Sequence, residues 1–255
     1  MTDMEQILTT AIDASKQAGE LLLGYLGKVK AKEKQPRDLV TQADIESQAL
    51  IKSILLGAFP DHGFLGEEGD ESDVDAEFCW IVDPLDGTTN FVHQLPSFAV
   101  SIGLRHGQDL VLGVIYDPLS RECFSAVKGK GAFLNGAPIQ SSDCTDIEKS
   151  LLVCSFPSRV VRDSVEVNRF LNVLTKSTVR RMGSAAINCS YVACGRLDGY
   201  WATSLSVWDM AAGIVIAREA GATVTNIHGD PIELSDPRFI MAGTSELHQQ
   251  LLEQM

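Results

Sequence analysis

The segment 80–90, WIVDPLDGTTN, constrains the fold more than any other part of the 255-residue chain. The apolar residues 79–82 predict a buried strand that ends at Asp83. The following letters, PLDG, are typical of a turn, and the TTN after them is typical of the first turn of a helix. We therefore expect two carboxylates, those of Asp83 and Asp86, at the end of a strand and beside a helix N-terminus.

This arrangement suits two kinds of ligand. Carboxylate oxygens in a tight turn can bind a hard divalent cation such as magnesium. The backbone N–H groups of Gly87 and Thr88, at the start of the predicted helix, can bind a phosphate. By itself, however, the segment is also typical of an ordinary turn followed by a helix cap, so its interpretation depends on other parts of the chain.

Four motifs resemble those of the inositol monophosphatase family and occur in the same order. They are DLVTQAD at 38–44, GEE at 66–68, DPLDGTTNF at 83–91 and WDMAAG at 208–213. The similarity extends over nearly the whole chain. It implies an α/β (α+β) fold, a layered αβαβα sandwich of the inositol monophosphatase and fructose-1,6-bisphosphatase type. It also implies a magnesium-dependent, lithium-sensitive type of phosphatase.

The resemblance further implies a set of metal ligands. Asp83 would bridge two magnesium ions, Leu85 would offer its backbone carbonyl, and Asp86 would bind the second ion. Glu67 would be a ligand of the first ion and Asp209 of the second. Considered alone, Glu67 could be a surface residue of an acidic loop, and Asp209 could be the N-cap of a helix.

Catalytic and substrate-binding residues are implied in the same way. Thr88 and Asp44 would orient or deprotonate the attacking water, and Glu67 completes the expected catalytic set. Thr88 could instead be a capping hydroxyl and Asp44 an ordinary helix-start aspartate. Substrate contacts are expected at Gly87, Thr88, Gly183, Ser184 and Ala185.

One difference from the family pattern means that the alcohol part of the substrate is not determined by the resemblance. Family members that are specific for inositol usually have a glutamate seven residues before the position of Asp209, where this chain has Ala202. An alanine side chain cannot accept hydrogen bonds from ring hydroxyls. Fructose 1,6-bisphosphate, a nucleotide 3′-phosphate and histidinol phosphate are therefore alternatives to inositol phosphate. A non-catalytic regulatory protein is a further alternative, although buried carboxylates without a function would be costly.

Composition excludes several classes of partner. The formal net charge of −13 argues against binding to nucleic acid or to an anionic membrane, and no apolar run reaches the length of a membrane span. The N-terminus, MTDME, lacks the features of a signal peptide, and the six cysteines contain no Cys-x-x-Cys pair and predict free thiols. We expect a cytoplasmic protein that acts on a small phosphorylated metabolite, and the resemblance implies a homodimer.

Hydrophobic patterning predicts two halves, 1–145 and 146–255, joined in the polar segment 141–149. The first half is expected to pack two long helices against a mainly antiparallel sheet, with a hairpin turn at Asn135-Gly136. It would contain most of the metal-binding carboxylates. The second half alternates strands and helices, which indicates an α/β layer that completes the active site.

Overall fold

Helices and sheets alternate in five layers in the computed structural model of the protein, which describes residues 4–35, 38–157 and 159–255. A helix pair, a seven-stranded sheet, a second helix pair, a five-stranded sheet and a third helix pair follow one another. The predicted αβαβα sandwich is thereby confirmed. Residues 1–3, on which part of the signal-peptide argument depends, lie outside the described residues.

The first outer layer consists of α1 (Met4–Tyr25) and α2 (Gln42–Ala58). Both long helices were expected from their apolar spacing, and they pack against each other and against the seven-stranded sheet. A two-stranded antiparallel ribbon joins them, formed by β1 (Lys32–Gln35) and β2 (Asp38–Val40). β1 begins within the charged run 28–34 and pairs with β2.

The seven-stranded sheet is ordered as its strands occur in the chain, and only its first pair is parallel. This agrees with the expected antiparallel sheet, and the Asn135-Gly136 turn joins its last two strands. A short helix, α3 (Thr88–Val92), follows the second strand. The strands are β3 (Gly63–Gly66), β4 (Phe78–Asp86), β5 (Ala99–His106), β6 (Asp109–Asp117), β7 (Glu122–Val127), β8 (Ala132–Leu134) and β9 (Ala137–Ile139).

The second half of the chain alternates strands and helices as predicted, and its five strands have the order β11-β10-β12-β14-β13. In this sheet β10 is parallel to both of its neighbours, and the remaining pairs are antiparallel. Division of the chain near residue 145 stays a prediction. The elements are β10 (Leu151–Ser155), α4 (Val165–Leu174), β11 (Thr178–Arg180), α5 (Ala185–Ala193), β12 (Gly199–Ala202), α6 (Val207–Glu219), β13 (Thr223–Asn226), β14 (Phe239–Ala242) and α7 (Ser245–Leu252).

The central helices α5 and α6 lie between the two sheets and are buried on nearly all sides. Two paired glycines let α6 approach the first sheet closely. A Cβ atom at Gly113 would lie 2.3 Å from the carbonyl oxygen of Ala212, and one at Gly103 would lie 2.9 Å from Cβ of Ala211. This close contact fixes where the first turn of α6 meets the end of β4.

Two further expectations concern cysteines and membranes. All six cysteines are free, as predicted, and four of them are buried. Among the helices of the described residues, none combines the length and the apolar character that crossing a bilayer requires.

Candidate active site

Three carboxylates from two distant segments come together at the edge where β4 meets α6. They belong to Asp83 and Asp86 on β4 and to Asp209 on α6, and one oxygen of each lies within 4.8 Å of the others. Asp83 and Asp86 are buried, while Asp209 is partly exposed. The structure therefore brings together three of the acids that the sequence motifs single out.

An irregularity in β4 directs both of its aspartates to one place. The strand does not end at Asp83, as the sequence predicts, but continues to Asp86. Asp83 pairs with Ser101 and Asp86 pairs with Ala99, so β4 has one residue more than its partner between these pairs. Residues three apart point to opposite faces of a regular strand, and one extra residue reverses this. Because Pro84 has no N–H group, it favours such an interruption of the ladder.

Burial, and after it mutual repulsion, disfavours the charged form of the clustered carboxylates. Burial raises the pKa of Asp83 well above its usual range, and the charges of Glu67, Asp86 and Asp209 raise it further. Burial and the charge of Asp86 raise the pKa of Asp209 to about 7, although a hydrogen bond from the Ser206 N–H opposes the shift. Glu67 thus belongs to the same electrostatic cluster as the three aspartates.

Asp209 occupies the third position of α6. The helix begins at Val207, and its N-cap is Ser206. The Ser206 N–H donates to Oδ2 of Asp209 over 2.7 Å. The alternative that Asp209 is itself the N-cap is therefore wrong, since the carboxylate acts from within the first turn.

Asp86 is tied to the start of α5. Its Oδ2 accepts a hydrogen bond from the Ser184 hydroxyl and another, of 2.7 Å, from the Ala186 N–H. These bonds lower the pKa of Asp86, but burial outweighs them and the net shift is upward. Ser184 is almost fully buried, so its hydroxyl holds Asp86 in place.

Asn90 joins the turn after β4 to the segment before α5. Its Nδ2 donates to the carbonyl oxygens of Ser97 and Met182, over 2.7 and 2.8 Å. Gly183 has φ of +86°, and a Cβ there would lie 2.8 Å from Nδ2 of Asn90. A glycine is required at this position both by its backbone conformation and by the close approach of Asn90.

Thr88 and Asp44 form a hydrogen-bonded pair. Oγ1 of Thr88 lies 3.0 Å from Oδ1 of Asp44 and 3.1 Å from the carbonyl oxygen of Leu85. Oδ2 of Asp44 accepts from the N–H and the hydroxyl of Thr41, over 2.8 and 2.6 Å. Thr41 is the N-cap of α2, so the helix-start interpretation of Asp44 holds, and the same carboxylate also fixes Thr88.

Two buried polar residues of α2 were missed by the sequence argument. Ser47 Oγ donates to the Pro84 carbonyl oxygen over 3.0 Å. Gln48 accepts from the Glu68 N–H over 2.9 Å and donates to the Gly69 carbonyl oxygen over 2.7 Å. Together with Asp44 they lie at the i, i+3 and i+4 spacing of one helix face. Polar residues on a helix face that packs against a sheet could have indicated in the sequence that Ser47 and Gln48 form buried hydrogen bonds.

A cavity of about 390 Å³ opens beside the aspartates. Ala202, the position of the expected inositol contact, is fully buried and does not line it. Of the predicted substrate contacts, Gly183 and Ala185 do. The cavity is lined by Asp86, Asn90, Cys154, Ser155, Phe156, Arg181, Met182, Gly183, Ala185, Ser204, Leu205 and Asp209.

Comparison with known protein families shows which family the chain belongs to. Residues 3–255 match the model of the inositol monophosphatase family. The chain belongs to this family. As a member of this family, it is a phosphoric monoester hydrolase, as the four motifs predict.

Similar proteins carry phosphatase and other names. The inositol-1-monophosphatase of Synechocystis sp. is 44% identical, with 98% of this chain and 88% of that protein covered. A protein named fructose-1,6-bisphosphatase/inositol-1-monophosphatase from Aquifex aeolicus is 37% identical, with 99% and 96% covered. The crystal structure of the extragenic suppressor protein suhB from Bartonella henselae has a TM-score of 0.92 at 36% identity, with 98% of each chain covered.

The family is metal-dependent, and the donor set of this chain fits a hard cation. The clustered ligand atoms are carboxylate oxygens, which Mg²⁺ prefers. Burial raises the pKa of each carboxyl group, and the charges of neighbouring carboxylates raise those of Asp83 and Asp209 further. A bound cation would oppose both effects. Asp83, Asp86 and Asp209 are thus suited to hold a divalent ion.

Proposed function

We propose that the protein hydrolyses a small phosphate monoester with magnesium held by Asp83, Asp86 and Asp209, and also by Glu67 and the carbonyl group of Leu85. The proposal is supported above all by the convergence of the three aspartates from two distant segments, within 4.8 Å of one another. When bound, magnesium would neutralise the charge of the phosphate and make a water molecule more acidic.

The protein's own groups would position the attacking water. A Thr88 hydroxyl that donates to Asp44 keeps its oxygen available to accept a hydrogen bond from water. Asp44 is buried and has three hydrogen-bond contacts with Thr41 and Thr88, so it would hold the hydroxyl in one orientation. We infer direct attack by water, with Thr88 and Asp44 as the orienting pair.

The substrate would lie against the starts of α3 and α5. The N–H groups of Gly87 and Thr88 are the proposed contacts for the phosphate oxygens. Gly183 and Ala185 would contact the substrate from the cavity wall, and Ser184 would act through Asp86. A cytoplasmic location and a homodimer remain predictions; sedimentation of the purified protein would test the dimer.

A phosphate-release assay tests the proposal. Chelation with EDTA should abolish release from the monoesters that the protein hydrolyses, and added Mg²⁺ should restore it. Asp83→Asn should lower the rate by about 100-fold or more, since even residues that only support a metal ligand cost 10–100-fold. The matched control is Asp61→Asn, an exposed aspartate, which should keep full activity.

Two results would contradict the proposal. Release that persists in EDTA would show that no metal is needed. Absence of release from every monoester of a broad panel would favour the non-catalytic regulatory protein instead.

A further inference from the structure

The cavity wall next to Ala202 has the hydroxyl of Ser155. Ser155, the last residue of β10, is paired in parallel register with Ala202 of β12. Val153, Tyr200 and Ala202 point toward the central helices, within the same apolar cluster. Because side chains alternate along a strand, Ser155 lies on this face too. Unlike Ala202, it reaches the cavity.

Ser155 is held by a buried phenol. Its Oγ lies 2.7 Å from the hydroxyl of Tyr200, whose ring packs edge-on against Phe239 at 5.1 Å. The fully buried amide of Asn188 lies beside the Tyr200 hydroxyl. A phenol that donates to Ser155 leaves the serine proton free to donate into the cavity.

A cation lies on another wall of the same cavity. The Arg181 guanidinium is stacked over the Phe156 ring, 4.8 Å from its centroid, and both residues line the cavity. Apart from Asp86 and Asp209, Arg181 is the one charged residue among the described lining residues. No carboxylate of the described part of the chain forms a salt bridge with it.

These observations define what the cavity can accept beside the reacting phosphate. With the two aspartates engaged by metal, the remaining lining contributes one positive charge and a hydroxyl donor. A glutamate at 202 would repel an anion next to Ser155, whereas Ala202 does not. Arginine forms its strongest hydrogen bonds with phosphate and carboxylate groups.

We propose that the leaving-group side of this cavity binds a second anionic group of the substrate, a phosphate or a carboxylate, through Arg181 and Ser155. This inference rests on the proposed phosphatase function and narrows its substrates. Phosphomonoesters whose alcohol part carries another negative charge are preferred over neutral polyol phosphates such as inositol monophosphate.

Two matched substrate pairs test the proposal on the magnesium-loaded protein. Fructose 1,6-bisphosphate is compared with fructose 1-phosphate, and 3-phosphoglycerate with glycerol 3-phosphate. We expect kcat/KM to be about tenfold or more higher for the anionic member of at least one pair, which is the effect of one charge-assisted hydrogen bond. The pair that shows the preference distinguishes a phosphate from a carboxylate.

Arg181→Gln should remove that preference, mainly through KM, and should leave the neutral substrates within about twofold of the wild type. The matched control is Arg180→Gln, since Arg180 is exposed, does not line the cavity and contacts only its neighbour's carbonyl group. Equal effects of Arg181→Gln on both members of a pair, or a wild type that prefers the neutral members, would overturn the proposal. In that case magnesium-dependent release from the neutral members would still support the phosphatase function.

The Tyr200–Ser155 contact has its own test. Ser155→Ala and Tyr200→Phe should each raise KM for the anionic substrate by about threefold to tenfold, because each removes one of the two hydroxyl groups that bond to each other. The kcat values should not change. Tyr200→Phe keeps the buried ring and therefore the packing on Phe239. A fall in kcat on all substrates, or no change in KM for either variant, would show that the contact is only structural.

Discussion

At the scale of single residues, the site contains carboxyl groups that bind protons more tightly in the folded protein than in the unfolded chain. Burial raises the pKa values of Asp44, Asp83, Asp86 and Asp209. A group whose folded pKa exceeds its unfolded value stabilises the native state below the unfolded pKa, and this contribution is lost as pH rises through the folded pKa. The metal-free cluster therefore destabilises the protein at neutral and alkaline pH.

Asp209→Asn isolates one part of this effect. Because the folded pKa of Asp209 is about 7, the variant should be more stable than the wild type at pH 8 in EDTA. We expect the free energy of unfolding to increase by about 2 kcal/mol. This is less than a pKa raised by about three would give, because Asp209 is partly exposed and solvent screens its charge. The gain should shrink as pH falls from 8 toward 5.

Denaturant titrations of both proteins at several pH values provide the measurement. The difference between them cancels the opposite contribution of His62 and His248, whose pKa values are lowered by burial. Saturating Mg²⁺ should abolish the advantage of the variant. A variant that is less stable than the wild type at pH 8 without metal would contradict the assigned repulsion.

Thr88→Ala tests the proposed orientation of water. Loss of the hydroxyl that contacts Asp44 should lower kcat by about 100-fold or more, the usual effect of removing a group that positions a proton transfer. Thr88→Ser, which keeps the hydroxyl, should recover most of the rate. Steady-state kinetics at saturating Mg²⁺ measures both, and a Thr88→Ala enzyme within twofold of the wild type would exclude the role.

At the scale of elements, helix α2 supports two segments that carry acids, the end of β4 and the loop after β3. Through Asp44, Ser47 and Gln48 it contacts Thr88, the Pro84 carbonyl group and the backbone after Glu67. Groups that orient metal ligands are typically worth 10–100-fold in metal affinity or activity. The helix thus acts as a common support for the end of β4 and the loop after β3.

Gln48→Ala should therefore raise the Mg²⁺ concentration needed for half-maximal activity by about tenfold or more. At saturating Mg²⁺, kcat should stay near that of the wild type. The matched control is Gln42→Ala on the same helix, since Gln42 is exposed and its side chain, within the described residues, hydrogen-bonds Glu46 alone. Activity measured across a Mg²⁺ titration gives both values. An unchanged Mg²⁺ midpoint in Gln48→Ala would show that the loop does not need this support.

At the scale of the whole molecule, close packing of α6 on the seven-stranded sheet places Asp209 beside β4. Gly113→Ala would put a methyl group against the backbone of Ala212, and overpacking of this kind typically costs about 1–3 kcal/mol. We expect lower thermal stability together with lower activity, because the helix that carries Asp209 must shift. The two effects should appear in the same variant.

Gly24→Ala is the matched control. Gly24 lies in α1, and apart from its chain neighbours and the adjoining backbone of the helix, no atom of the described residues lies within 4 Å of a Cβ added there. Alanine is the better helix former, so this change should raise stability slightly or leave it unchanged. Thermal unfolding and phosphate release compare the two variants, and a Gly113→Ala protein as stable and as active as the wild type would refute the packing argument.

Much of the fold was predictable because its signals are local. The two long helices α1 and α2 and the turn at Asn135-Gly136 follow from apolar spacing and turn chemistry within a few residues. The bulge between Asp83 and Asp86 was not predictable as such, since it depends on how β4 pairs with β5. Local sequence also allowed Asp209 to be the N-cap of α6, but Ser206 takes that position and Asp209 is the third residue of the helix.

The candidate site divides in the same way. The sequence by itself determined which acids are available, since the residue types and order of four short motifs are properties of the chain. Only the tertiary structure decided that Asp209 meets Asp83 and Asp86, that Gln48 holds the loop after Glu67, and that Ser155 lies beside Ala202. The physical reason is that such distances follow from the packing of layers against one another, and a contact between segments far apart in the chain leaves no periodic trace in either of them.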